Sequence, residues 1–296
     1  MASFTDPTLF TLRDGRALAY ELVTAAEGKA DCPIIILANS ICTPYKSWNQ
    51  VVPLLLDERF QVLCYDQPGH GMSGAPDGFK TTFSTLAEDV YQLVQHLQIQ
   101  KVAAWIGVSM GAATGAYLAV AHPGLIDQLI LCDTLSASPI VAGVADLFTP
   151  RAEAVKENGQ AQLIKVVDGM LSRWITDQWR QDNQHRFNEV RDIMLTTKAE
   201  GFRTCVAALT STSFDLQVLA PQLARTVKSV SLVVGERDAN LPETMGHLRD
   251  LIQRGFDDAG KEKVPVELHV VPGAGHICYV DNCEDFVHKI KNVLSQ

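Results

Sequence analysis

The sequence lacks the features by which proteins commonly bind nucleic acid or cross membranes. It has 25 Lys and Arg against 34 Asp and Glu, a net charge of −9, and its nearest approach to a basic run, Lys261 and Lys263, is interrupted by Glu262. Nucleic acids and anionic bilayers both attract basic patches. The longest apolar runs, such as 34–38, fall far short of the ~20 residues that span a bilayer. We therefore predict no nucleic-acid partner and no membrane partner.

Paired cysteines and clusters of metal ligands are missing as well. The cysteines number seven, an odd count, and none of them forms a C-x-x-C pair, which argues against a disulfide framework or a zinc site. No His, Cys and Asp cluster has the spacing of a metal site. The N-terminal residues MASFTDPTLF contain neither the cationic nor the apolar segment of an export signal. We expect a cytoplasmic protein with no metal and no cofactor, and we leave open whether it forms a homo-oligomer.

What the sequence does have is a series of short apolar runs separated by stretches of helical periodicity. Six runs have strand character, at 34–37, 61–65, 102–106, 129–132, 231–234 and 266–271. Continuously apolar strands that alternate with helices, such as 85–97 and 110–121, indicate a mostly parallel sheet with helices on both faces. Ahead of them, 9–12 and 17–22 predict an antiparallel hairpin.

This alternation stops after Leu135 and resumes near Ser229. The residues between them show helical patterns and no convincing strand. We therefore predict an α/β core formed by 1–135 and 222–296, with a helical cap (lid) formed by 136–221 over one end of the sheet.

The segment Gly107-Val108-Ser109-Met110-Gly111 lies between a predicted strand and an Ala- and Gly-rich helix. This is the context of the G-x-S-x-G nucleophile elbow, in which a serine on a sharp strand-to-helix turn projects over the carboxyl ends of the strands. The helix N-terminus then supplies free N–H groups for a developing oxyanion. Ser109 is the predicted nucleophile, and the Met110 N–H is one predicted oxyanion donor.

The second oxyanion donor is expected in the loop after the first parallel strand. The residues there are Asn39, Ser40 and Ile41, which makes the Ile41 N–H the predicted donor. The side chains of Asn39 and Ser40 can cap the turn.

A serine nucleophile needs a base and an acid that orients the base, and in this elbow context the chain order is Ser, acid, His. His276 follows the last predicted strand in a glycine-rich loop, whereas His269 lies within that strand and His288 lies in the terminal helix. His276 is the predicted base.

The acid has three candidates. Asp238 stands just after the strand at 231–234, Glu236 lies two residues before it, and Asp133 ends an earlier strand. Asp238 is preferred, and the other two are kept as alternatives.

A further loop, 66–74, contains Asp, His and Ser, but the chain order and its turn residues argue against catalysis. We interpret it as a turn whose Asp66 and His70 tie the backbone together.

These elements together resemble the α/β-hydrolase superfamily over essentially the whole chain, and more closely the 3-oxoadipate enol-lactonases. The stretches that carry the closer resemblance are Asn39-Ser40-Ile41, Leu171–Thr176, Glu200–Ala208, Gly235–Asp238 and Gly273–His276. The resemblance implies an α/β-hydrolase fold, the triad Ser109, Asp238 and His276, and a cap whose Trp174 lines the pocket.

The chain also departs from the family pattern. Cys42 stands where the family usually has Gly, and Gln67-Pro68 replaces a common Thr-Arg. The family's lactone carries a carboxylate, which requires a cationic partner in a mostly apolar pocket; Arg173 is the candidate. Ser40, Trp174 and Arg173 are the predicted substrate-binding residues.

The leading hypothesis is a serine hydrolase of a lactone or small carboxylic ester that acts through an acyl-enzyme. Two alternatives remain open at this point. One is a C–C bond hydrolase or haloperoxidase-like enzyme of the same fold, and the other is a non-catalytic member that binds a ligand.

Overall fold

The centre of the molecule is an eight-stranded sheet, seen in a computed structural model that describes residues 6–24, 32–56 and 60–295. The strands are β1 (Thr8–Thr11), β2 (Ala17–Val23), β3 (Ile34–Ala38), β4 (Gln61–Tyr65), β5 (Val102–Val108), β6 (Ile126–Cys132), β7 (Ser229–Gly235) and β8 (Glu267–Val271). Their order is β1-β2-β4-β3-β5-β6-β7-β8. Strands β3 to β8 are parallel, and β1 and β2 are antiparallel additions at one edge.

The strands form where apolar residues run without interruption. Every residue of β4 is buried, as expected for a strand covered on both faces. The predicted hairpin is confirmed, with Thr8 opposite Tyr20 and Thr11 opposite Ala17. The mostly parallel sheet predicted from the six apolar runs is confirmed too.

The described residues contain twelve α-helices and two 3₁₀ turns, the latter at Tyr45–Trp48 and Asp77–Phe79. The helices are α1 (Val51–Leu55), α2 (Phe83–His96), α3 (Met110–Ala121), α4 (Pro139–Ala142), α5 (Thr149–Trp174), α6 (Asp177–Asp182), α7 (Gln184–Met194), α8 (Ala199–Thr210), α9 (Leu216–Thr226), α10 (Leu241–Asp258), α11 (Cys278–Asp281) and α12 (Cys283–Leu294). Helix α2 begins at a capping box in which Thr82 and Thr85 bind each other's backbone N–H. None of the helices in the described part of the chain is long and apolar enough to cross a bilayer.

Helices cover both faces of the sheet. Helices α2, α3, α9 and α10 pack side by side in one layer, and α1, α11 and α12 pack together in a second. Helix α3 follows β5 directly and contacts β3, β5 and β6. The carboxyl ends of the central strands therefore meet the N-terminus of α3, where ligands bind in open α/β sheets.

The segment between β6 and β7 is a helical insert. Within it α5 contacts α7 and α8, and α5 is broken at Gly159, where φ is 62°. The predicted cap boundary at 221 falls within α9, and α9 packs against α3 and α10 of the core layer. The division into core and cap stays a prediction.

Candidate active site

Ser109 occupies the sharp turn between β5 and α3. Its φ of 55° and ψ of −111° are unusual for a residue with a side chain, and such strain collects at functional sites. Three backbone hydrogen bonds hold the turn: the Ser109 N–H donates to the Cys132 carbonyl at 2.8 Å, and the Ser109 carbonyl accepts from Ala112 and Ala113 at 3.1 and 3.2 Å. The strained serine is therefore fixed between the middle of the sheet and the first turn of α3.

The turn can close only because glycine stands on either side of it. A Cβ on Gly107 would overlap the backbone of Gly111, and a Cβ on Gly111 would overlap the backbone of Ala38 in β3. The spacing of the G-x-S-x-G motif thus follows from the close approach of α3 to two neighbouring strands.

His276 and Asp238 lie at the ends of adjacent strands and contact each other. Asp238 Oδ2 is 2.7 Å from His276 Nδ1, and the residues are 7% and 9% exposed. A carboxylate in this position orients the ring, because it accepts a hydrogen bond from Nδ1–H and leaves Nε2 free as a base. The two other histidines considered as the base have different partners. His269 pairs with Glu267 at 3.4 Å, and the exposed His288 contacts Asn292 at 3.2 Å.

Asp133, the first alternative acid, is fully buried beside this pair but bonds to other groups. Its Oδ1 accepts the Gly235 N–H at 2.7 Å, and the Cys278 thiol donates to its Oδ2 at 2.9 Å. Burial, and next the charge of Asp238, raise the pKa of Asp133 well above its usual range, which favours its protonated form. Asp133 therefore links two segments of the chain: it binds Gly235, just before the loop that contains Asp238, and Cys278, in helix α11 after His276.

Glu236, the second alternative, lies outside this cluster. Its carboxylate accepts the Gly273 N–H at 2.8 Å and lies 3.7 Å from the Arg237 guanidinium, with both side chains largely exposed.

The helical insert contacts the His276 loop directly. The His276 N–H donates to the Trp174 carbonyl at the end of α5, at 2.9 Å, and the two rings lie 4.7 Å apart between centroids. A Cβ on Gly275 would overlap that carbonyl oxygen. Asp281 holds the same loop through the Gly275 N–H at 2.7 Å, and burial raises the pKa of Asp281 to about 7.

The two predicted oxyanion donors lie at the ends of neighbouring strands. Ile41 follows β3 and Met110 begins α3, and both residues are buried. The first N–H groups of a helix have no acceptor within it, which leaves the Met110 N–H available. In the described part of the chain we find no hydrogen-bond acceptor for the Ile41 N–H.

Asn39 and Ser40 differ in what their side chains do. The Asn39 amide donates to the Tyr65 carbonyl at 3.0 Å and accepts from Trp48 Nε1 at 2.5 Å, so it holds the turn. The buried Ser40 hydroxyl has no partner among the residues that the structure describes.

A cavity of about 600 Å³ lies between the insert and the carboxyl ends of the strands. It reaches the predicted residues Ile41, Trp174 and Arg173. The rest of its wall is mostly apolar, from Leu135, Ala137, Pro139, Ala142, Val144, Ala145, Leu147, Phe148, Met170, Phe202 and Leu241, with Ser136, Arg151, Asn240 and Thr244 as its polar members. This volume suits a small organic molecule.

Arg151 is a cavity residue that the sequence analysis missed. Burial, and next the charge of Arg151, lower the pKa of Arg173, so the two guanidinium groups are close enough to repel each other. Neither forms an ion pair with a carboxylate in the described ranges. No sequence motif marks Arg151, because its place at the cavity depends on how α5 packs in the insert. Within those ranges we also find no group of three or more His, Cys, Asp or Glu that could hold a metal ion.

Comparison with known proteins is consistent with this geometry. The family described as the alpha/beta hydrolase fold matches residues 33–193. Two curated 3-oxoadipate enol-lactonases of Acinetobacter baylyi are similar: one is 32% identical over 72% of this chain and 74% of its own length, the other 28% identical over 68% and 70%. The crystal structure of the enol-lactonase from Burkholderia xenovorans LB400 aligns with a TM-score of 0.80 at 27% identity, over 98% of this chain and 100% of that one.

The contacts of the three acidic candidates predict different effects of neutralising them. Asp238→Asn should lower kcat on an activated ester by about 10⁴-fold, because the amide stabilises the wrong tautomer of His276. Asp133→Asn should cost less than about tenfold, since its oxygen still accepts the Gly235 N–H. Glu236→Gln should be milder still.

The measurement is kcat for the three variants on p-nitrophenyl acetate, with circular dichroism to show that each one folds. An inactive Asp133→Asn beside an active Asp238→Asn would mean that the acid lies after β6.

Proposed function

This chain is a carboxylic-ester hydrolase of the α/β-hydrolase fold family, and we propose that it opens a lactone or cleaves a small ester through an acyl-enzyme on Ser109. The observation that carries the proposal is the 2.7 Å bond between His276 and Asp238, together with a serine held in the strained conformation of a nucleophile elbow at the carboxyl end of β5 in the same sheet. The resemblance to enol-lactonases favours a lactone.

In the proposed acylation, Ser109 Oγ attacks the ester carbonyl while His276 Nε2 takes its proton. Asp238 accepts a hydrogen bond from His276 Nδ1–H and stabilises the imidazolium that forms. The carbonyl oxygen becomes an oxyanion, to which the N–H groups of Ile41 and Met110 donate.

Collapse of this tetrahedral intermediate breaks the bond to the leaving oxygen, which takes the proton from His276. For a lactone the leaving oxygen stays attached to the acyl group, so the ring opens on the enzyme. Water, activated by His276, then attacks the acyl-enzyme and releases the hydroxy acid and free Ser109.

The substrate we propose carries a carboxylate as well as the ester. The cavity is mostly apolar, yet Arg151 and Arg173 line it. Neither arginine has a carboxylate partner in the described ranges. Two cations that repel each other are stabilised by an anion between them, and guanidinium binds carboxylate with two parallel hydrogen bonds. Trp174, which lines the cavity and contacts the His276 ring, would pack against the body of such a substrate.

A variant of the nucleophile tests the acyl-enzyme. Ser109→Ala should lower kcat by at least about 10³-fold on p-nitrophenyl acetate, because the members of a triad act as a unit. A fluorophosphonate probe should label the wild type once and leave Ser109→Ala unlabelled.

Activity of Ser109→Ala within tenfold of wild type would refute the serine mechanism. Turnover assays on esters, a β-diketone and peroxide with halide separate the alternatives. A non-catalytic ligand-binding member would show no turnover, and a C–C bond hydrolase or haloperoxidase-like enzyme would prefer the β-diketone or peroxide with halide over every ester.

The two arginines are tested with two p-nitrophenyl esters of the same acyl-chain length, one anionic and one neutral. Arg151→Gln and Arg173→Gln should each raise KM for mono-p-nitrophenyl succinate by about tenfold, since a hydrogen bond to a charged group is worth about 1.5–3 kcal/mol. KM for the neutral p-nitrophenyl butyrate should change by less than about twofold.

Lys165→Gln is the matched control, because Lys165 is an exposed cation on the same helix α5 and does not line the cavity. Equal changes of KM on the two esters, or an equal effect of the control, would contradict the carboxylate subsite.

A further inference from the structure

The loop at 66–74 contacts the segment that contains Ile41. The catalytic steps proposed above do not involve this contact. Its side chains bind the backbone of the segment 39–45 at three points. Gln67 Nε2 donates to the Asn39 carbonyl at 3.2 Å, the Cys42 N–H donates to His70 Nε2 at 2.8 Å, and the Tyr45 N–H donates to Asp66 Oδ1 at 2.7 Å. The segment that contains Ile41 is therefore held along its length by one neighbouring loop.

His70 is the central one of these three side chains. It is completely buried, and its Nδ1 lies 3.0 Å from the Pro68 carbonyl. An N–H donor at Cys42 and a carbonyl acceptor at Pro68 select one neutral tautomer, with the proton on Nδ1 and the lone pair on Nε2. Burial lowers the pKa of His70 to about 4, in keeping with a neutral ring that accepts a hydrogen bond at neutral pH.

The two peptide groups around Ile41 are both fixed by such contacts. The Ser40 carbonyl accepts from the Thr43 N–H at 3.3 Å and from Thr43 Oγ1 at 2.8 Å. In a trans peptide the N–H points opposite to the carbonyl, so the Ile41 N–H is turned away from Thr43. The next peptide group is fixed by the bond between the Cys42 N–H and His70.

The hydrogen bond from the Cys42 N–H to His70, which we call the anchor, holds a residue in a strained conformation. The φ of Cys42 is 59°, in the left-handed region that disfavours a residue with a Cβ, and the ring of His70 binds the N–H of this same strained residue. Without that bond, the buried Cys42 N–H would lose its acceptor and the segment could relax toward an ordinary conformation.

We propose that His70 is a positioning residue for oxyanion stabilisation: it holds the peptide groups around Ile41 so that the Ile41 N–H stays directed at the reacting carbonyl oxygen. This role rests on the proposed function, and His70 itself does not touch the substrate. A preorganised donor contributes more to the transition state than to ground-state binding. Loss of the anchor should therefore lower kcat and leave KM nearly unchanged.

The test compares three variants on p-nitrophenyl acetate. His70→Leu removes the acceptor and should lower kcat by about 10- to 100-fold, up to the cost of losing one oxyanion donor. His70→Gln places an amide oxygen near the position of Nε2 and should recover most of the rate, whereas His70→Asn, whose oxygen is closer to the backbone, should not.

A second measurement reports on the oxyanion directly. Phenylboronic acid forms a tetrahedral adduct with a serine nucleophile, and its Ki should rise across the three variants by the same factor as kcat falls. A purely structural role would not link the two quantities.

Ser73→Ala is the matched control. Ser73 lies in the same loop and is buried, and its hydroxyl joins the Ala19 N–H to the Asp66 carbonyl without contact to 39–45. This variant should lower the melting temperature while kcat stays within about twofold of wild type.

The outcomes separate this inference from the proposed function. If Ser109→Ala is inactive while folded His70→Leu keeps kcat within about threefold of wild type, the role of His70 is refuted and the serine mechanism stands. If His70→Leu does not fold, equal kcat values for His70→Gln and His70→Asn refute it. If Ser109→Ala is active, the proposed function itself fails.

Discussion

The arrangement of this site depends on the reversal of the chain at Ser109, between β5 and α3. A φ of 55° at a serine is sustained because hydrogen bonds on both sides of the turn hold it and because Gly107 and Gly111 let α3 approach the sheet. Strand β5 lies in the middle of the sheet, one strand from β3 and two from β7. The turn therefore places the serine at the carboxyl ends of the strands, where the loops that contain Ile41 and Asp238 begin.

Buried charge is the second constraint. Three aspartates, Asp133, Asp238 and Asp281, are buried near His276, and three free anions together in a protein interior would be costly. Asp238 has the imidazole as its partner, while Asp133 and Asp281 have backbone N–H groups and raised pKa values. Asp238 thus orients His276, and Asp133 and Asp281 hold the loops that contain these two residues.

The insert between β6 and β7 contributes to the site as well as covering it. The Trp174 carbonyl binds the backbone of His276, so the end of α5 helps to define where the base stands. The same helix brings Arg151 and Arg173 to the cavity wall. The proposed chemistry at the strand ends and the proposed recognition of a carboxylate are therefore connected through α5, whose segments before and after the break at Gly159 carry Arg151 and Arg173.

Local patterns in the sequence were enough to predict the strands, helix α3 and Ser109 as the candidate nucleophile. Burial of apolar runs and the closure of a tight turn depend on residues that are near each other in the chain. The pattern favoured Asp238 as the acid but did not exclude Asp133, since both follow parallel strands. Which of them meets the histidine depends on the order of β6, β7 and β8 in the sheet and on the loop after β8. Arg151 had no sequence signal, and the turn residues of the 66–74 loop indicated that His70 ties backbone together but not that it reaches the 39–45 segment. Both features arise from contacts between segments far apart in the chain, and such contacts exist only once the sheet and the insert have packed.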